Sequence, residues 1–147
     1  MAVQGLPGWL KPVNRLVKVL HKLGMRPGTI HLLSVPGRST GRLRTTPVSP
    51  LTVDGRRYVL SPAPESDWVR NASAAGWGVL IQGRNRQKVR LEPLEDVRDR
   101  EKVLRAFPAE VPHGVPFFLR IGAVTGATPD EFAAAAPRSV VFEVVAI

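Results

Sequence analysis

The residues best equipped for chemistry sit together in one stretch, VPGRSTGRLRTTPV, residues 35–48. Arg38, Arg42 and Arg44 and the hydroxyl side chains of Ser39, Thr40, Thr45 and Thr46 surround Gly37 and Gly41, and a valine and a proline close each end. Glycines let the backbone turn tightly and aim successive N–H groups at one spot. Serine and threonine add hydroxyl donors, and guanidinium groups fork onto phosphate or carboxylate oxygens. The chemistry this predicts is anion binding. The stretch matches neither the phosphate loop G-x-x-x-x-G-K-[ST] nor the dinucleotide fingerprint G-x-G-x-x-G. On a strand leaving the turn, Arg42 and Arg44 alternate with Leu43 and Thr45 and project from one face. From the residues alone, the competing reading is a basic β-turn that binds nothing.

The remaining sequence is poor in acids, bases and nucleophiles. His21, His31 and His113 lie far apart, outside any H-x-H or H-E-x-x-H pattern, and are expected to be structural. The chain has no cysteine, which excludes thiolate nucleophiles, disulfides, zinc knuckles and iron–sulfur clusters. No G-x-S-x-G elbow occurs. Glu92, Glu95, Asp96 and Asp99 fall where a hairpin ends and a helix begins, where acids are favourable anyway. No residue is assigned as catalytic and no metal is expected. An enzyme built this way takes its chemistry from a cofactor.

The elements that must position the stretch follow from periodicity. Trp9, Val13, Leu16, Val17, Leu20 and Leu23 fall at helical spacing, with Lys11, Arg15, Lys18 and Lys22 opposite, which predicts a basic amphipathic helix over residues 9–23. Strands are expected over Thr29–Val35, Arg42–Val53 and Arg57–Ser61, the last two joined by an Asp54-Gly55 hairpin turn. Pro62 and Pro64 end the third. Ser66 or Asp67 caps a helix running to about Ala75. Two further strands, Gly78–Gln82 and Gln87–Pro93, flank Gly83-Arg84-Asn85, and a helix covers Asp96–Phe107. Residues 112–126, rich in proline, glycine and aromatics, receive no assignment. Thr128-Pro129-Asp130-Glu131 is a capping box opening a short helix, and Ser139–Ile147 is strongly β-prone. About six mainly antiparallel strands with peripheral helices predict one mostly-β domain over residues 1–147, a small barrel rather than a doubly wound sheet.

The motif G-R-S-T-G-R-L-R-T-T-P at residues 37–47 resembles the loop and strand G-R-[KRS]-[ST]-G-x-x-R-x-x-P of the deazaflavin-dependent nitroreductase-like family. Asp54-Gly55-Arg56-Arg57-Tyr58-Val59-Leu60-Ser61 is similar to that family's D-G-x-x-Y hairpin strand, and Trp68-Val69-Arg70-Asn71 to its W-x-x-N helix start. VVFEV, residues 140–144, resembles its closing strand. The likeness runs from about residue 30 to residue 92, with weaker support at both ends. It implies a split β-barrel binding coenzyme F-420, a deazaflavin bearing a phosphodiester and a tail of glutamate carboxylates. Arg38, Ser39, Thr40, Gly41 and Arg44 would hold the phosphate and the start of the tail. Thr45, Thr46, Pro47, Val48 and Ser49, with Ser61, Pro62, Ala63 and Pro64, would line the ring. Asp67, Trp68 and Asn71 would close the far side. The implied reaction is hydride transfer between the deazaflavin C5 and a small organic acceptor such as a quinone, nitro compound, enone or activated alkene. Family members often carry a basic residue where Ser39 stands and another near Pro64, and a tyrosine where Phe117 and Phe118 stand. The acidic tail could then run toward Arg56 or Arg70, and the proton is expected from solvent.

Two other readings compete. FMN would place its terminal phosphate in the same cradle. A non-enzymatic protein for nucleic acid or an anionic membrane is suggested by the net charge of +9 and the basic first helix. Aromatic residues are only 6% of the chain, too few for stacked single strands, so no nucleic acid is expected. No secretory leader and no run of about 18 apolar residues appears. The expectation is a cytoplasmic protein, its first helix able to touch the inner face of a membrane, as a monomer or homodimer.

Overall fold

The computed structural model describes Arg15, Lys18 and residues 31–147. Arg15 and Lys18 are helical and exposed; the rest of the amphipathic helix expected over residues 9–23 lies outside the described residues.

Among the described residues, seven strands form one sheet: β1 (His31–Pro36), β2 (Leu43–Val48), β3 (Leu51–Val53), β4 (Arg56–Ser61), β5 (Trp77–Gln82), β6 (Asn85–Pro93) and β7 (Val140–Ala146). The order is β2-β1-β5-β6-β7-β4-β3, and each neighbouring pair is antiparallel. Within described residues 31–147, four helices accompany it: α1 (Asp67–Ala75), α2 (Val97–Glu110), α3 (Val115–Arg120) and α4 (Pro129–Ala134).

The connectivity dictates the shape. β2 and β3 are consecutive in the chain, separated by Ser49 and Pro50, yet they occupy opposite edges of the sheet. Seven flat strands spaced about 4.8 Å apart would hold those edges about 29 Å apart. Three Cα steps reach at most about 11 Å. The sheet must therefore curl until its edges meet, leaving a seam at Ser49-Pro50. One long strand expected over Arg42–Val53 is thus two, which raises the count from about six to seven.

Alternation along the strands sorts side chains into two cores. Leu33, Val35, Val59, Leu80, Val89, Leu91, Phe142 and Val144 fill the barrel interior, with Val69 and Ala72 of α1 among them. Tyr58 and Val141 point the other way, toward Val103, Leu104 and Phe107 of α2, Phe118 of α3 and Phe132 of α4. Local signals mark the ends of the elements. Asp54 and Gly55 both take positive φ, 51° and 78°, as a tight hairpin between β3 and β4 requires. Asp96 caps α2, accepting from the Arg98 N–H at 2.8 Å. The capping box at the start of α4 is formed. Residues 112–126, unassigned from sequence, hold a single 3-10 turn (Pro112–Gly114) followed by α3. Among the described residues no helix is long and apolar enough to cross a membrane.

Candidate functional site

The β1–β2 turn is closed on itself. The Gly37 N–H donates to the Arg42 carbonyl at 2.7 Å and the Gly41 N–H to the Gly37 carbonyl at 2.8 Å. Gly41 has φ +74°, which glycine adopts without strain. A Cβ on Gly37 would meet Arg44 Nε at 3.2 Å and Thr40 Oγ1 at 3.3 Å, so the turn is packed tightly around its own donors.

Helix α1 fixes the turn from below. Asn71, 3% exposed, accepts from the Arg38 N–H at 3.0 Å and from Arg38 Nη1 at 2.8 Å. Arg38 Nη2 meets the Asp67 carboxylate at 3.2 Å. The Arg38 guanidinium is thereby held in place, and part of its charge is neutralised. No hydrogen bond or ion pair among the described residues engages the Arg44 guanidinium. Gly37, Arg38, Ser39, Thr40, Arg44, Asp67 and Asn71 together line a cradle of about 160 Å3.

A second, larger recess opens beside it along the barrel seam. It measures about 470 Å3 and is walled by Thr46, Pro47, Val48 and Ser49 of β2 and the seam, by Leu60 to Ala63, and by Ser66 and Trp68 at the start of α1. Phe107, His113, Gly114, Phe117 and Phe118 close its outer side, with His31 at the edge. Among the described residues, no Asp, Glu, Lys or Arg lines this groove. Two polar details stand out within it. Ser66 Oγ is buried without a hydrogen-bond partner, although Ser66 is the N-cap of α1. Ser49 Oγ and His113 Nε2 lie 3.1 Å apart.

The site residues expected from sequence therefore fall in several places. Arg38, Ser39, Thr40, Arg44, Asp67 and Asn71 converge on the cradle. Thr46, Pro47, Val48, Ser49, Ser61, Pro62, Ala63 and Trp68 converge on the groove. Gly41 shapes the turn without lining either cavity. Thr45 is tied to the fully buried Ser34, hydroxyl to hydroxyl, at 2.6 Å. Pro64 lines a separate recess with Phe117, Ile121 and Arg138. Arg56 pairs with Glu143 in a cavity on the far side of β4, and Arg70 is exposed on α1 outside both cavities. Sequence reasoning missed His31, Leu60, Ser66, Phe107, His113 and Gly114. His31 and His113 are separated by most of the chain, and only the closing of the barrel makes them neighbours of one groove.

No family model matches the sequence, and no curated protein matches it. Solved structures do. An FMN-binding protein related to pyridoxamine 5'-phosphate oxidase from Nostoc punctiforme superposes with a TM-score of 0.59 at 14% identity, over 98% of this chain and 84% of that one. PhzG from Burkholderia lata, solved with tetrahydrophenazine-1-carboxylic acid, gives 0.53 at 15%, over 99% and 84%. The fold is a split β-barrel. A conserved hypothetical protein of Mycobacterium tuberculosis gives 0.52 at 11% identity, again over 99% and 84%. Within the split barrel described here, the seam between β2 and β3 is the groove, and the β1–β2 turn beside it is the cradle.

Proposed function

We propose that the protein is a reductase that holds a flavin-type cofactor across cradle and groove, and that the cofactor is the deazaflavin coenzyme F-420. One observation carries this reading: a charged cradle and an uncharged groove lie side by side, walled by the same strand and the same helix start. β2 gives Arg44 to the first and Thr46–Val48 to the second, while α1 gives Asp67 and Asn71 to the first and Trp68 to the second. A ligand that fits both has an anionic end and a planar apolar end. Flavins and deazaflavins have that form.

The residues present fit such a group. Arg38 and Arg44 supply two positive charges, and the Ser39 and Thr40 hydroxyls supply donors, against the single carboxylate of Asp67. The unpartnered Ser66 hydroxyl and the Trp68 ring face the apolar part. When bound and reduced, the coenzyme supplies a hydride. The chain binds it, orients it against the seam and excludes water with Phe117 and Phe118. That division of labour explains why the sequence carries so few acids and bases near the site.

FMN is the second reading, supported by the fold shared with an FMN-binding protein and by the small volume of the cradle. Separate fluorescence titrations with F-420 and with FMN distinguish the two. Low-micromolar or tighter binding of F-420 with much weaker FMN binding is expected. The reverse order would transfer the site to FMN, and binding of neither would overturn the cofactor reading.

A further inference from the structure

We infer that Ser49 and His113 form a proton relay serving the groove, delivering the proton that completes hydride addition to an acceptor bound there. The inference rests on the reductase reading above. Addition of hydride to a conjugated alkene leaves an enolate, which is complete only when a proton arrives. The groove narrows the choice of donor. Among the described residues its wall holds no Asp, Glu, Lys or Arg, and its titratable side chains are His31 and His113. Of its hydroxyls, Ser61 is occupied by the following loop, accepting from the Ala63 N–H at 3.0 Å. Ser66 Oγ is buried away from any partner. Ser49 pairs its hydroxyl with a histidine, Oγ to Nε2, at 3.1 Å.

The surroundings suit the task. Ser49 is half-buried in the seam, while His113 is exposed and in reach of water. Pro47, Val48, Phe117 and Phe118 give the groove an apolar lining that favours a flat, neutral acceptor over a charged one. As hydride reaches the β-carbon of the acceptor, its C=C electron pair shifts onto the α-carbon. The Ser49 O–H bond breaks and the proton forms the new C–H bond there. Ser49 oxygen takes the Nε2 proton of His113, and the ring regains a proton from water. One hydride, which the bound coenzyme would supply, and one proton convert the unsaturated carbonyl to its saturated form.

The test uses the full chain with Ser49→Ala, His113→Gln and His113→Ala, and cyclohex-2-enone as acceptor. Without coenzyme, the His113 Nε2 resonance should move in Ser49→Ala if the pair exists in solution. Because both residues line the groove, F-420 affinity is measured for each variant and turnover is compared with the coenzyme saturating. Turnover should fall about 100-fold in Ser49→Ala and His113→Gln, the lower end of what a general acid supplies. Added imidazole should restore turnover in His113→Ala but not in Ser49→Ala. An unmoved Nε2 resonance, or undiminished turnover in His113→Gln with coenzyme bound, overturns the relay alone. Failure of the unsubstituted protein to bind F-420 overturns the cofactor reading and the relay with it.

Discussion

Arg38 and Arg44 reach the cradle in different ways, so their loss should read differently. Each forms a charge-assisted contact to an anion in the proposed complex, and replacing either by alanine should weaken F-420 binding by about 1.5–3 kcal/mol, measured by fluorescence titration. Unchanged affinity in both would remove the phosphate from this turn. Arg38→Ala carries a second effect, because it deprives buried Asn71 of one of its two donors. Its thermal midpoint should drop, whereas Arg44→Ala, which breaks no internal bond, should melt like the parent. Asp67 sits on the same guanidinium and opposes an incoming anion. Asp67→Asn should tighten coenzyme binding several-fold, and weaker binding would mean that the carboxylate orients Arg38 more than it competes. The arginines and hydroxyls of the cradle were legible because turn chemistry is local. From the residues alone Asp67 reads only as a cap, and the resemblance adds it to the far side of the site; its bond to Arg38 depends on where α1 docks. His113 was not legible at all, since the contact that gives it a role crosses 64 positions of sequence.

At the scale of elements, the weakest reading from sequence was residues 112–126, and packing explains why. α3 has six residues and follows a single 3-10 turn, too short for periodicity to show. Its place is set by aromatic contacts: Phe118 lies 5.0 Å from Phe132 and 4.9 Å from Phe107, centroid to centroid. Phe107 and Phe118 also wall the groove. Phe132 is fully buried. Phe132→Ala should therefore cost about 3–5 kcal/mol in denaturant unfolding, and at temperatures where the variant stays folded it should still weaken coenzyme binding. A stability loss with affinity intact would uncouple this aromatic cluster from the groove. Tyr58 of β4, in the same core as these aromatics, offers a spectroscopic check. Burial pushes the hydroxyl of Tyr58, the only tyrosine, above its ordinary 10.0, and Glu143 adds to the effect against Arg56 and Lys102. The fold then favours the protonated phenol. Its contribution is complete below about pH 10 and is lost as pH rises through the folded value. Alkaline difference absorbance should show a tyrosinate midpoint above 10, and Tyr58→Phe should flatten the alkaline fall in stability. A midpoint at or below 10 would mean that Tyr58 is solvated in solution.

The whole molecule shows most clearly what the sequence could not express. β-branched and apolar residues recur from Arg42 to Val53, so a continuous strand is the natural local reading. It fails because β2 and β3 belong to opposite edges of one curled sheet. That assignment depends on pairings with β1 and β4, so no local signal marks Ser49-Pro50 as the seam. Strand type, the Asp54-Gly55 turn and the helix caps were legible because each rests on neighbouring residues. Net charge is the other property of the whole. At +9, the molecule carries far more positive charge than the cradle accounts for, with Arg84, Arg86, Lys88 and Arg90 exposed along the β5–β6 hairpin. Such a field speeds the approach of a polyanion without adding contacts in the complex. Raising salt from about 50 to 300 mM shortens the screening length from roughly 14 to 6 Å. Stopped-flow binding of F-420 should then show an association rate falling several-fold while dissociation changes much less. Replacing Arg84 and Arg86 together by glutamine should reduce the salt dependence of association and leave dissociation untouched. If salt acted mainly on dissociation, the charge that matters would be confined to Arg38 and Arg44, and the remaining basic residues would serve no part of coenzyme capture.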